Sequence, residues 1–285
     1  MTPKTSLEYQ KLAKHFLATK IQGDLGIDNI KSALIELASH YRPAYWRRLR
    51  CAIKHALFLA GKKEAANIIG NLENPLTKKN TGNSKDIKPK QKRIKSVSFD
   101  EHIHLMKHFR ARCDASMLGA LQIAWLVGCR PAEMPYIRLH DNCTVFIPSA
   151  KKTADGKRGL DRTISLNQKS YDLLRHSIAL LHQELDSMTK DHVKGMHRIQ
   201  RRLQTATSKL WPKKRYNITL YSYRHQMGSE LKASGMSREA IALIMGHQGI
   251  NSIDKYGDRR LGTGRVLPVP SYNLTQKASA SSLSI

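Results

Sequence analysis

Residues 221–256 read YSYRHQMGSELKASGMSREAIALIMGHQGINSIDKY, and the fold of the chain is legible from this stretch. Arg224 stands among Tyr221, Tyr223 and His225, an apolar segment of helical period follows, then Gly246-His247, and nine residues later Tyr256. Far upstream, Gly128-Cys129-Arg130-Pro131-Ala132-Glu133 supplies a second arginine. Two arginines, a histidine and a tyrosine are the groups needed to attack a phosphodiester without a metal. Guanidinium forks clamp non-bridging oxygens in bidentate fashion, histidine adds a hydrogen bond, and a phenol is a nucleophile.

The charge balance agrees with a phosphate partner. The chain carries 49 Lys and Arg against 22 Asp and Glu, a formal net charge of +27 over 285 residues. An excess of that size points to a polyanion, with nucleic acid ahead of an anionic membrane. The longest apolar run, residues 120–129, is about half of what a spanning helix needs. The opening MTPKTSLEYQ has no apolar signal core, so a cytoplasmic, nucleoid-associated protein is expected. Cys51, Cys113, Cys129 and Cys143 are far apart and form no CxxC pair, which suggests neither a disulfide framework nor a zinc site.

In chain order, residues 1–73 read as four short helices. Ser6 is the expected first cap, Gly23 and Gly26 precede a second helix, and Pro43 can open a third, with Leu49, Ile53, Leu57 and Ala60 on one face. Arg47, Arg50 and Lys54 lie off that stripe with no acidic residue among them, so this helix is expected to face DNA. Residues 74–97 are a basic, nearly apolar-free linker whose Lys90, Lys92 and Arg93 suit tracking a phosphate backbone.

A second domain, 98–257, opens with Ser98-Phe99-Asp100-Glu101, a capping box. A strongly apolar helix ends at Gly128, which puts Arg130 beside the core, where Glu133, Asp141 or a phosphate must answer its charge. Residues 144–148 and 161–166 read as a β-hairpin whose tip carries Lys151, Lys152 and Lys157. Two helices follow, the second very basic and including Arg201 and Arg202. Ser222 then begins a helix closed by Gly235, and Ser237 caps the next. Residues 258–285 form a tail of little periodicity.

With these residues in this order the chain resembles the tyrosine recombinase, or phage integrase, family. Its members carry a first arginine in a Gly-x-Arg-x-x-Glu context, as at 128–133. They carry a hairpin lysine followed by threonine, as at Lys152-Thr153, with Lys151 and Lys157 as competitors here. A His-x-x-Arg box followed by His is matched at its end by Arg224-His225, a Leu-Gly-His box by Met245-Gly246-His247, and the nucleophile by Tyr256. The resemblance implies a mainly α fold: an N-terminal four-helix, SAM-like core-binding domain and an α-rich catalytic domain with a small β-hairpin or sheet. It implies a site of Tyr256, Arg130, Arg224, His247, Lys152 and Tyr221, and a 3′-phosphotyrosine intermediate that conserves bond energy without ATP, metal or other cofactor. It implies double-stranded DNA sites, a homotetramer on them, accessory DNA-bending proteins, integration or excision of a mobile element, and a tail that docks on a neighbouring protomer. One position departs: Tyr221 stands where the family has the first histidine, and a phenol of pKa about 10 is a poor base near neutrality. Rival readings are a type IB topoisomerase and a non-catalytic DNA-binding protein on the same fold.

Overall fold

The computed structural model describes residues 1–77, 87–88, 94–152, 159–188 and 191–271. The chain divides into two compact units, Met1–Gln91 and Lys92–Ile285. The basic residues Lys90, Lys92, Arg93 and Lys157 lie outside the described residues.

The first unit packs α1 (Pro3–Lys20), α2 (Ile27–Glu36), α3 (Pro43–Leu59) and α4 (Lys63–Asn71). Phe16, Ile30, Leu34, Trp46, Leu49, Ile53 and Ile69 form its core. The Trp46 indole N–H, which could not be buried unpaired, donates to the Leu34 carbonyl at 2.7 Å. Helix α1 starts earlier than Ser6. Thr2 caps it and Pro3 follows in the first turn, where its missing N–H costs nothing. Ser6 Oγ instead meets His55 Nε2 at 2.8 Å, across to α3. The basic face of α3 is not uniform. Arg47 and Lys54 are exposed, whereas Arg50 is half-buried, donates to the Leu72 carbonyl at 2.6 Å and lies over the Trp46 ring. Arg50 thus ties α3 to the end of α4, which leaves less of it for phosphate.

The second unit begins with α5 (Phe99–Arg110), where the capping box forms: Glu101 N–H donates to Ser98 Oγ at 3.1 Å and Ser98 N–H to Glu101 Oε2 at 2.8 Å. Helix α6 (Ala115–Val127) is buried nearly all round, as its apolar sequence requires of a central element. A 3-10 helix (Pro131–Tyr136) leads into β1 (Arg138–His140), β2 (Thr144–Ile147) and β3 (Arg162–Ser165). Then follow α7 (Gln168–Met188), α8 (His192–Leu210), α9 (Leu220–Ala233) and α10 (Arg238–Met245), two more 3-10 turns (Ile250–Lys255 and Arg259–Leu261), and β4 (Val269–Pro270).

The hairpin β2–β3 pairs Val145 with Ile164 and Phe146 with Thr163. The sheet is larger than the hairpin, however: β1 and β4 complete an antiparallel order β1-β2-β3-β4. Helix α9 starts earlier than Ser222, because Thr219 is the cap and Ser222 the reciprocal partner of its capping box. That places Tyr221 in the first turn. Part of the tail returns to its own unit. Gln226 donates to the Leu261 carbonyl, Thr263 donates twice to Glu230, Arg265 lies 4.2 Å over the Trp125 ring, and β4 joins β3. Residues 272–285, the rest of the segment expected to dock on a neighbour, lie outside the described residues. No helix among the described residues is long and apolar enough to cross a membrane.

Arg202 is also engaged internally. It meets Asp114 at 3.2 Å, Glu184 at 2.5 Å and Ser116 at 2.9 Å, joining α8 to the start of α6 and to α7. Arg201, one residue earlier, is exposed.

Candidate active site

Four of the expected residues meet where α6, α9 and α10 end or begin. Gly128 ends α6 in the left-handed region, so the chain turns sharply and Arg130 falls at the N-cap of the following 3-10 helix. Helix α9 carries Arg224, fully buried. Gly246 ends α10 and delivers His247 beside it. The 3-10 turn Ile250–Lys255 then brings Tyr256 back against α9.

Arg224 organises these contacts. Its Nη1 donates to the Gly128 carbonyl at 3.0 Å, its Nη2 donates to the Met245 carbonyl, and Nη2 lies 3.2 Å from His247 Nε2. The guanidinium sits 5.1 Å from the centroid of the Tyr256 ring. Tyr256 is half-buried against two imidazoles, His225 and His247, each 4.9 Å away between ring centroids and tilted by 31° and 32° respectively. One guanidinium therefore ties the end of α6, the end of α10 and the tyrosine into one arrangement.

The electrostatics follow from that burial. His247 is drawn down to about 3, by desolvation first and then by the charges of Arg224, Arg130, Arg162 and Lys151. It is neutral near pH 7. Because an arginine N–H can only donate, His247 Nε2 is the acceptor there and its proton sits on Nδ1. Arg224 is itself lowered to about 10, by burial and then by Arg162 and Arg130, and stays charged. Burial raises the Tyr221 phenol above its ordinary value, against the pull of Arg130, so near neutrality Tyr221 keeps its proton and can offer it in a hydrogen bond but cannot serve as a base.

Glu133 answers the charge of Arg130. Arg130 Nη1 meets Glu133 Oε1 at 2.5 Å, and the Arg130 backbone N–H donates to Oε2 at 2.9 Å. A third arginine, absent from the sequence-based set, shares that carboxylate: Arg162 Nη2 donates to Glu133 Oε2 at 2.9 Å. Although burial alone would raise Glu133, Arg162 and Arg130 hold it at about 2. A signal for Arg162 existed. It precedes Thr163-Ile164 in a strand of period two, so Arg162 and the buried Ile164 share the inward face.

Lys152 stands apart from this group. It is largely exposed and pairs with Asp161 at 2.7 Å across the base of the hairpin. Its neighbour Lys151, also exposed, is the hairpin lysine whose charge is felt at His247. Among the described residues, one set of potential metal ligands comes together, His182, Asp186 and His192, and Asp186 already pairs with both histidines there. None of the residues around Tyr256 belongs to it.

Tyr256 is held to α9 by glycines. A Cβ on Gly228 would stand 3.1 Å from that of Tyr256. Gly257 has φ of 69° and sits so close that a Cβ there would run into the backbone nitrogen of Ser229. Gly257→Ala combines a left-handed penalty of about 1–2 kcal/mol with a backbone clash. It is expected to displace the segment around Tyr256 and lower any reaction at that residue at least about tenfold. Thermal unfolding and single-turnover rates on the purified variant check this.

Lambda integrase, solved as a tetramer bound to a Holliday junction, matches over 91% of this chain and 73% of its own, at 13% identity and a TM-score of 0.57. The Tn1549 transposon integrase, solved with circular intermediate DNA, matches over 100% of this chain and 95% of its own, at 14% identity and a TM-score of 0.55. This chain has the tyrosine recombinase fold. No protein-family model matches the sequence, and no curated protein matches it. The similarity therefore lives in the tyrosine recombinase architecture, mainly helical with a small antiparallel sheet, far more than in residue identity.

Proposed function

We propose that this chain is a site-specific DNA recombinase that cuts and rejoins strands through a tyrosine-linked intermediate. The observation that carries the reading is the meeting of Arg224, His247 and Tyr256 within one cluster of hydrogen bonds and ring contacts, with Arg130 buried beside it.

In this reading the Tyr256 oxygen attacks the scissile phosphorus, forming a 3′-phosphotyrosine as the bond to the 5′-oxygen breaks. The phenol gives up a proton while the leaving oxygen gains one, so the step is neutral in protons overall. Arg130 and Arg224 stabilise charge developing on the non-bridging oxygens, which is where preorganised cations in a desolvated site are most effective. The neutral His247 and the protonated Tyr221 add hydrogen bonds as donors. Lys152, held by Asp161 on the hairpin, supplies the proton to the 5′-oxygen, with Lys151 as a second cation nearby. Attack of a partner strand's 5′-hydroxyl on the phosphotyrosine reverses the step and exchanges strands.

The exposed Arg47, Lys54, Arg201 and Lys151, with the linker lysines, contact the phosphate backbone in this proposal, so binding weakens steeply as salt rises. The structural neighbours were solved on a Holliday junction and on a transposon circular intermediate. By analogy this chain acts as a tetramer on two duplexes and serves a mobile element, with accessory DNA-bending proteins shaping the sites.

Covalent trapping tests the reading. The protein is incubated in EDTA with supercoiled plasmid carrying the DNA that flanks its own gene, and the mixture is denatured. A protein–DNA adduct is expected, as are joint products between two sites, which a topoisomerase would not form. Intact DNA binding with no adduct, even on a nicked suicide substrate that prevents religation, would show a binding protein built on the same fold.

A further inference from the structure

We propose that Arg162 compensates the charge of Glu133, so that this carboxylate can aim Arg130 at a phosphate without cancelling the positive charge presented to it. The proposal rests on the phosphodiester reading above and assigns Arg162 a positioning role, not contact with the reacting atoms.

A carboxylate that orients a phosphate-binding arginine creates an electrostatic problem. Glu133 grips Arg130 through one oxygen, caps its backbone with the other, and is fully buried. Its negative charge would offset that of Arg130 at the place where an anion has to bind, and the loss is largest in a desolvated site. Arg162 removes it. Its Nη2 takes Glu133 Oε2 at 2.9 Å, so the triad keeps a net charge of +1, and Arg224 raises the cluster to +2.

The fold makes specific room for this side chain. Arg162 is about 1% exposed, on the inward face of β3, an expensive place for a charge that merely decorated the strand. It passes Gly246, the residue before His247, so closely that a Cβ there would lie 2.7 Å from Arg162 Nη1. The cluster also holds more donors than its single carboxylate accepts. Buried nitrogens of all three arginines, Arg162 Nε and Nη1, Arg130 Nε and Arg224 Nε, have no hydrogen-bond acceptor among the described residues. A purely structural ion pair would be balanced; this one is cationic by design of its stoichiometry.

The test is a charge-rescue cycle on the full chain, comparing wild type, R162K, R162M, E133Q and E133Q/R162M. Single-turnover adduct formation on a nicked suicide substrate is measured from pH 5.5 to 8.5, with DNA affinity and circular dichroism as controls. R162M leaves the cluster at +1 and is expected to slow adduct formation about 100-fold, with DNA affinity changed only a few-fold. R162K keeps the charge and recovers at least about tenfold of that loss. E133Q/R162M restores +2 and comes within about tenfold of wild type, although both native side chains are gone. The pH dependence has a definite sign. Without Arg162 the largest of the charges that hold the Glu133 carboxyl down is lost, so burial lifts it although Arg130 and Arg224 still lower it, and below its new pKa it is neutral, as in E133Q. The ratio of R162M to wild-type rate therefore rises as pH falls, whereas Glu133 at about 2 does not titrate in the wild type over this range.

An R162M rate within threefold of wild type would overturn the inference alone, as would a loss that neither E133Q nor acid pH relieves. Should R162M fail to fold, the double variant decides, because the amide that replaces the Glu133 carboxylate still offers an oxygen to Arg130 while no lone carboxylate is left to cancel its charge; a rate more than about 100-fold below wild type would count against compensation. Absence of an adduct from the wild-type protein would instead overturn the recombinase reading, and the inference with it.

Discussion

Tyr256→Phe is expected to bind DNA as the wild-type chain does and to form no covalent adduct. The substitution removes one oxygen and keeps the ring, and it is the ring that the surrounding structure holds. His225 and His247 flank it at 4.9 Å, the Arg224 guanidinium lies 5.1 Å from its centre, and Gly228 packs against its Cβ. A phenylalanine preserves these contacts, so folding and DNA affinity should change little. The reaction loses its nucleophile altogether, which no positioning or charge effect replaces. Denaturing gels of plasmid incubated with each protein provide the measurement, and the expected adduct signal is at background. An adduct that survived in the variant would place the nucleophile elsewhere. Tyr221, which lies within electrostatic reach of Arg130 and Arg224, would then be the next phenol to replace.

Arg224→Lys carries the second large effect, a fall of about 10²–10³ in the rate of adduct formation. The charge is conserved and the geometry is not. Arg224 reaches two backbone carbonyls, at Gly128 and Met245, and His247 Nε2 from one planar fork. An ammonium is a point donor on a flexible stem and cannot hold all three while presenting a face to a phosphate. A buried acceptor left without its donor costs about 1–3 kcal/mol, so a lower melting temperature should accompany the slower chemistry. Loss of His247's partner also frees that imidazole to turn, which would move the hydrogen bond it is proposed to give. The expected pattern is slow cleavage with DNA affinity within a few-fold of wild type. Equal cleavage by the lysine variant would show that only the charge of Arg224 is needed.

The two kinds of residue in this site were not equally legible. Arg130, Arg224, His247 and Tyr256 could be picked out because each stands in a short local pattern: a helix-ending glycine before Arg130 and His247, the Arg-His pair among tyrosines for Arg224, and a fixed interval from His247 to Tyr256. Arg162 could not be picked out in the same way. It lies 29 residues from the carboxylate that gives it meaning, and an arginine in a short strand is ordinarily a solvated one. Arg50 and Arg202 show the opposite case. Both belong to strongly basic helices, yet Arg50 donates to a carbonyl at the end of α4 and Arg202 pairs with Asp114 and Glu184. A count of positive residues does not distinguish these from exposed neighbours such as Arg47 and Arg201.

Element ends show the same division. The Ser98 capping box, the Ser237 cap and the glycines that end α6 and α10 follow from residues within a turn of one another, so sequence alone was sufficient. Strands β1 and β4, of three and two residues, have no periodicity to detect and exist only because β2 and β3 offer edges for them. What the sequence by itself determined was therefore the set of helices, the hairpin, the basic character of the chain and the order of its reactive residues, since all of these depend on neighbours close along the chain. The tertiary structure alone decided which arginines are buried, which carboxylate they share, that part of the tail closes on its own sheet, and that Tyr256 lies against two histidines. The physical reason is range. A cap or a turn is settled over about four residues, whereas an ion pair or a stacked ring is settled by packing that unites segments as far apart as Gly128 and Arg224.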